Sequence, residues 1–210
     1  MATSYENESI AVLTLPGWHG SGADHWQTRW EALYGYRRVE QHDWQRPLRG
    51  DWNARLEDVV LGCKTPVLLV AHSLGCVLVA AWAAHSRNTD RIRGALLVAP
   101  PDIERDDLRP QLPGWTPVPR SPLPFPSLVV HSTDDPYAAP GYAQHLAQAW
   151  GSALHGVGPA GHINADAGLG DWPAGHALLQ AWRAAGFATA PAPRTNSISS
   201  RMRAISISCV

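Results

Sequence analysis

Lysine is nearly absent from this chain: Lys64 is the only one among 17 basic residues. With alanine, proline and tryptophan abundant, that scarcity reads as coding bias rather than a functional signal. The arginines form no basic stripe, and the formal net charge is −1. Both facts argue against a nucleic acid or another polyanion as partner. Cysteine is also scarce. Cys63, Cys76 and Cys209 form no CxxC pair and no metal-ligand spacing, so neither a disulfide scaffold nor a metal centre is expected. Cys63 and Cys76 flank an apolar strand and read as small core residues. The first residues carry acids rather than a basic segment. The apolar run there, Ile10–Leu15, is far too short for a signal peptide or a membrane span. The expectation is a cytoplasmic protein without membrane insertion.

What is present is enough for one domain with a sizeable core. The chain has 210 residues, 45% of them hydrophobic and 17% charged. Short apolar runs alternate with helical patterns. Strands are expected at Ile10–Leu15, Val67–Ala71, Ile92–Ala99, Leu128–His131 and Ala153–Val157, with a short one around Val39. Helices are expected at Ala23–Tyr34, Asp51–Leu61 with Asp51 as cap, Leu74–Ala84, Gly141–Trp150 and Pro173–Ala185. The alternation implies an α/β protein with a doubly wound, mostly parallel sheet. Continuous apolar strands fit a sheet covered on both faces. Pro100–Pro126 holds nine prolines and few periodic apolar positions, as functional or mobile loops do. From about Phe187 the chain is serine-rich with no acids, so residues 1–186 read as the domain and 187–210 as a disordered tail.

The most informative stretch runs from Pro66 to Ala80, where an apolar strand passes straight into an apolar helix. Ser73 marks the join, between Ala71-His72 and Leu74-Gly75. This is the sequence form of a nucleophile elbow, usually written G-x-S-x-G. The turn needs small side chains two before and two after the serine, because strand and helix backbones nearly touch. Ala71 meets that need in place of glycine. A plain helix-capping serine is the bland alternative.

A serine hydroxyl needs a base, and the base needs a carboxylate to hold its tautomer. In doubly wound hydrolases the acid and the histidine follow the serine in that order. Of ten histidines, only His162 lies in the loop after the last strand. His19, His42 and His72 precede the serine, and His25, His85, His145 and His176 fall in or at the ends of helices. Asp134 and Asp135 both follow the strand ending at His131, and either could orient the histidine. Asp102, Asp106 and Asp107 in the proline-rich loop are rivals. Two backbone N–H groups, of Leu74 and of Trp18 after the first strand, are placed to receive an oxyanion. Trp18 and Trp115 could line an acyl pocket, which would favour apolar or aryl groups. The other tryptophans on helices read as core.

Together, Pro16-Gly17 with the following Gly-Ser, His25-Trp26, His72-Ser73-x-Gly75, Ser132-Thr133-Asp134-Asp135-Pro136 and Gly161-His162-x-Asn164 carry a resemblance. Over about Val12 to Gly186 the chain resembles the small serine hydrolases typified by retinoblastoma-binding protein 9, within the α/β-hydrolase superfamily. The resemblance implies a compact α/β-hydrolase fold with little or no cap domain. It implies a triad of Ser73, Asp135 and His162, choosing Asp135 over Asp134. It also implies action on small esters or amides with no cofactor and no metal. A binding protein on the same fold and an acyltransferase with the same triad are the competing readings.

Overall fold

The computed structural model describes residues 9–188. Six strands form one wholly parallel sheet: β1 (Ala11–Leu15), β2 (Arg37–Arg38), β3 (Val67–His72), β4 (Ile92–Val98), β5 (Ser127–His131) and β6 (Ala153–Gly156). Their order is β2-β1-β3-β4-β5-β6. Five helices connect them: α1 (Trp26–Tyr34), α2 (Arg49–Leu61), α3 (Leu74–Ala83), α4 (Tyr142–Trp150) and α5 (Pro173–Ala184). The doubly wound α/β expectation holds, and each expected element is present within three residues of its expected start.

Period-two alternation sorts the strand side chains onto two faces. Leu13, Leu69, Ala71, Leu97 and Val129 join the core beneath α2, α3 and α4. Val12, Leu68, Val70, Leu96 and Val130 join the core beneath α1 and α5. Both sets are buried, which explains why the strands read as unbroken apolar runs. The helical tryptophans Trp26, Trp30, Trp52, Trp82, Trp150 and Trp182 are core residues as expected, and Cys63 and Cys76 are buried and free.

Two boundaries differ from the sequence reading. Helix α2 begins at Arg49, with Leu48 as an N-cap that makes no side-chain bond. Asp51 is therefore not the cap; it sits in the first turn, where its charge favours the positive end of the helix dipole. The short strand covers Arg37–Arg38, and Val39 follows it, its N–H donating to Thr14 O. Past α5, Phe187 packs edge-on against Trp182, with ring centres 4.9 Å apart. The tail expected from there lies, beyond residue 188, outside the described residues.

The long segment between β4 and β5 has one 3₁₀ turn, Arg109–Gln111, and otherwise irregular backbone. It is well packed: Ile103, Leu112, Trp115, Val118 and Phe125 are all part of the core under α2 and α4.

Strand order reverses between β1 and β3, where β2 lies to one side and β4 to the other. In open parallel sheets the crevice at the carboxyl ends of such strands is the favoured place for a ligand. Leu15 is in register with Ala71. The loops leaving these two strands, Pro16–Trp18 and Ser73–Leu74, therefore start side by side.

Candidate active site

Ser73 stands between β3 and α3 with φ 54° and ψ −126°. A non-glycine residue with that backbone is strained, and such strain persists only where the surroundings enforce it. Here the Ser73 N–H donates to Val98 O (2.9 Å), tying the turn to β4. The close packing expected of the elbow is real. A Cβ on Gly75 would lie 2.3 Å from Leu15 O, and one on Gly17 would lie 2.6 Å from Ser73 Cβ. Ala71 is fully buried and fits without difficulty.

The structure brings Ser73, His162 and Asp135 into one hydrogen-bonded line. Ser73 Oγ lies 2.8 Å from His162 Nε2. His162 Nδ1 lies 2.9 Å from each oxygen of Asp135. If Nδ1–H donates to the carboxylate, Nε2 is left to accept from the hydroxyl. The Asp135 side chain is 5% exposed and that of His162 8%, so the pair is shielded from water. Tyr137 N–H donates to Asp135 Oδ1 (2.9 Å), and the Tyr137 ring meets His162 edge-on at 4.6 Å.

The adjacent Asp134 points elsewhere. Its Oδ1 accepts from Ser132 Oγ (2.6 Å) and from the N–H groups of Ala160 and Gly161 (2.8 Å each). The Ser132 hydroxyl first, then these amides, hold its carboxyl below the usual carboxylate range. Asp134 thus grips the loop that carries His162, while Asp135 grips the imidazole. Asp102 binds Glu104 N–H, while Asp106 and Asp107 pair with Arg109 and Arg105. None of these three is bonded to His162.

The Trp18 and Leu74 N–H groups have no acceptor among the described residues. Both flank Ser73, and Gly17 brings the first of these loops against it. The Trp18 ring stacks on His19 (4.3 Å), and its Nε1 donates to Gln45 O. Trp18, Ser73, Leu74 and His162 line a cleft of about 320 Å³. Pro101, Ile103, Leu108 and Leu112, from the segment after β4, form an apolar wall. No Lys, Arg, Asp or Glu lines it among the described residues.

Trp115 is not part of that wall, which corrects the sequence reading. It is fully buried, meets Trp52 edge-on at 5.3 Å and donates Nε1 to Pro47 O (2.9 Å). Its apolar bulk serves the core between the long segment and α2. Aliphatic residues of the same segment face the cleft instead.

His25, expected to be a surface or packing residue, and His72, set aside as the base because it precedes Ser73, both border the cleft. His25 caps α1 by accepting from Gln27 N–H at Nδ1 (3.1 Å). Burial first, then the Arg38 charge and His162, push it down to about 4. Burial likewise lowers His72. The folded protein therefore takes up these protons less readily than the unfolded chain. Stability is full above the free-histidine value near 6.5 and is lost as pH falls towards about 4. His25 alone should remove about 2–3 kcal/mol across that window. Thermal melts from about pH 7 to about pH 4.5 should show a falling Tm, with a shallower slope in His25→Gln. Equal slopes in the two proteins would refute this assignment.

A single parallel sheet sandwiched by helices, with a strained serine at the strand-to-helix turn beside the switch point, defines the α/β-hydrolase class. The serine hydrolase family model matches residues 12–181, and the chain belongs to that family. The chain is 31% identical to a YdeN-like hydrolase from Pectobacterium atrosepticum, with a TM-score of 0.74 over 85% of this chain and 92% of that one. It is 22% identical to the ydeN gene product of Bacillus subtilis, with a TM-score of 0.66 over 84% and 100%. A thermophilic esterase from Thermogutta terrifontis shares the fold at 16% identity and a TM-score of 0.60, covering 86% and 92%. No curated protein sequence matches significantly. The protein is thus a serine hydrolase of compact α/β-hydrolase fold. Among the described residues no helix is long and apolar enough to cross a membrane.

Proposed function

We propose that the protein cleaves small, uncharged carboxylic esters or amides through an acyl-enzyme. Ser73 Oγ attacks the carbonyl carbon while His162 Nε2 takes its proton. Asp135 holds the Nδ1–H tautomer and stabilises the imidazolium that forms. The tetrahedral oxyanion is received by the N–H groups of Leu74 and Trp18. His162 returns the proton to the leaving oxygen or nitrogen. Water, deprotonated by the same histidine, then releases the acid. The observation that carries this reading is the Asp135–His162–Ser73 line, at 2.9 and 2.8 Å, on the wall of the cleft.

The cleft supports the substrate class. Its volume is at the small end for a ligand site. Its Ile103, Leu108 and Leu112 wall suits an apolar acyl group, and the missing charges leave an anionic acyl chain no partner. A fluorophosphonate probe should attach to the tryptic peptide carrying Ser73 in folded protein. Butanoyl, hexanoyl and benzoyl p-nitrophenyl esters should exceed the acetyl and hemisuccinyl esters in kcat/KM, by about tenfold for the charged one. No adduct at Ser73 would reject the mechanism. A clear preference for acetyl would reject the acyl pocket.

A further inference from the structure

Backbone groups of four consecutive residues around the base are held by side chains from other elements. Asp134 accepts from the N–H groups of Ala160 and Gly161. His72 Nε2–H donates to the carbonyl of His162 (2.9 Å), and Trp26 Nε1–H donates to that of Ile163 (2.8 Å). The loop has no strand or helix ladder to fix it. Gly161 and Ile163, on either side of His162, both have positive φ, 52° and 50°. Of these grips, only the one from His72 falls on the residue that carries the imidazole.

The bond is buried and the ring that makes it is tightly packed. His72 is 4% exposed. The His25 ring meets it at 4.7 Å and 64°, and the Trp26 ring meets it at 6.1 Å and 89°. His25 is itself fixed by the Gln27 N–H. The His25-Trp26 pair and the histidine before Ser73 therefore converge on one loop, although they lie far from it in sequence. His162 must reach Ser73 Oγ and Asp135 at once, and a shift of its backbone would lengthen one contact or the other.

We propose that His72 is a positioning residue: its Nε2–H bond to the His162 carbonyl sets the imidazole between Ser73 and Asp135. This rests on the roles of Ser73 and His162 proposed above. His72→Gln places an amide N–H where the imidazole Nε2–H was, His72→Asn falls short, and His72→Leu removes the donor while keeping bulk. With a p-nitrophenyl ester, KM should stay within about twofold in all three variants. The kcat should fall about 10- to 100-fold in His72→Asn and His72→Leu. It should return to within about threefold of the parent in His72→Gln. The downfield proton resonance of His162 Nδ1–H should be retained in His72→Gln and lost or broadened in His72→Asn. Should His72→Leu fail to fold, the Gln and Asn pair decides. Equal kcat in those two variants, or full activity in His72→Asn, overturns the proposal. Undiminished turnover by Ser73→Ala would instead overturn the proposed mechanism on which it rests.

Discussion

Ser73→Ala should lose about 10⁶ in kcat, and His162→Ala should lose nearly as much. The double variant should be little worse than either alone. Two groups that act as a unit remove the same step when either is lost, so their effects do not add. The geometry behind this is the 2.8 Å contact between Ser73 Oγ and His162 Nε2, the only side-chain bond to that hydroxyl among the described residues. A residual rate of about 10³ over water should survive, because the Leu74 and Trp18 N–H groups and the apolar wall remain. Single-turnover kinetics on a p-nitrophenyl ester check both numbers. Additive losses would mean that Ser73 and His162 serve different steps.

Gly75→Ala should be the most damaging change outside the reacting groups. Its new Cβ would lie 2.3 Å from Leu15 O and 3.0 Å from Pro16 O. These are backbone atoms at the end of β1 and the start of the Trp18 loop, so no side chain can swing aside. Either α3 lifts or the loop retreats, and each moves the Leu74 and Trp18 N–H groups apart. Overpacking of this kind costs about 1–3 kcal/mol of stability. Activity measured well below Tm should fall further, by about 10²–10³, if one of the two proposed oxyanion donors is displaced. Gly50→Ala is the contrast. It lies in α2 with no atom within 4 Å of the added Cβ, so it should stabilise by about 0.5–1 kcal/mol. Denaturant unfolding of both variants tests the pair, and a Gly75→Ala protein with parental stability and turnover would contradict the packing described.

These two changes also mark how much of the molecule was readable in its sequence. Two-face burial leaves a direct trace in apolar runs such as Val67–Ala71, so the sheet was legible. The elbow was legible because a backbone approach demands small residues at fixed spacing, and Gly75 with Ala71 satisfies it. The order serine, acid, histidine placed His162 by position alone. Asp134 and Asp135 could not be separated by the residues themselves. Both bind the same loop, and which one meets the ring depends on the direction each side chain takes from adjacent backbone positions. Trp115 failed for a different reason. A tryptophan in a proline-rich segment gives no local sign of whether it faces solvent, cleft or core, and its partners Trp52 and Pro47 are distant in sequence. His72 is set aside as a base on chain order, and its bond to the His162 carbonyl has no sequence signature. The Asp51 cap was a fair expectation from residue type, and the helix begins two residues earlier, at Arg49, which leaves Asp51 inside its first turn.

The cleft wall and the proposed reacting groups come from different parts of the chain. Ser73, Asp135 and His162 leave β3, β5 and β6, whereas Pro101, Ile103, Leu108 and Leu112 belong to the segment after β4. That segment is anchored by its own core residues, Trp115 and Val118, and is tied to the loop of Asp135, since the Asp102 N–H donates to Tyr137 O (2.8 Å) and Arg105 Nη1 donates to Pro136 O (2.7 Å). The proposed acyl wall and the proposed orienting acid are therefore mechanically linked. Side-chain exchanges at Ile103, Leu108 and Leu112 should reshape the acyl preference. Insertions between residues 101 and 112 should instead pull on the Pro136–Tyr137 backbone and disturb Asp135, so substrate choice and turnover are expected to change together when this segment changes length.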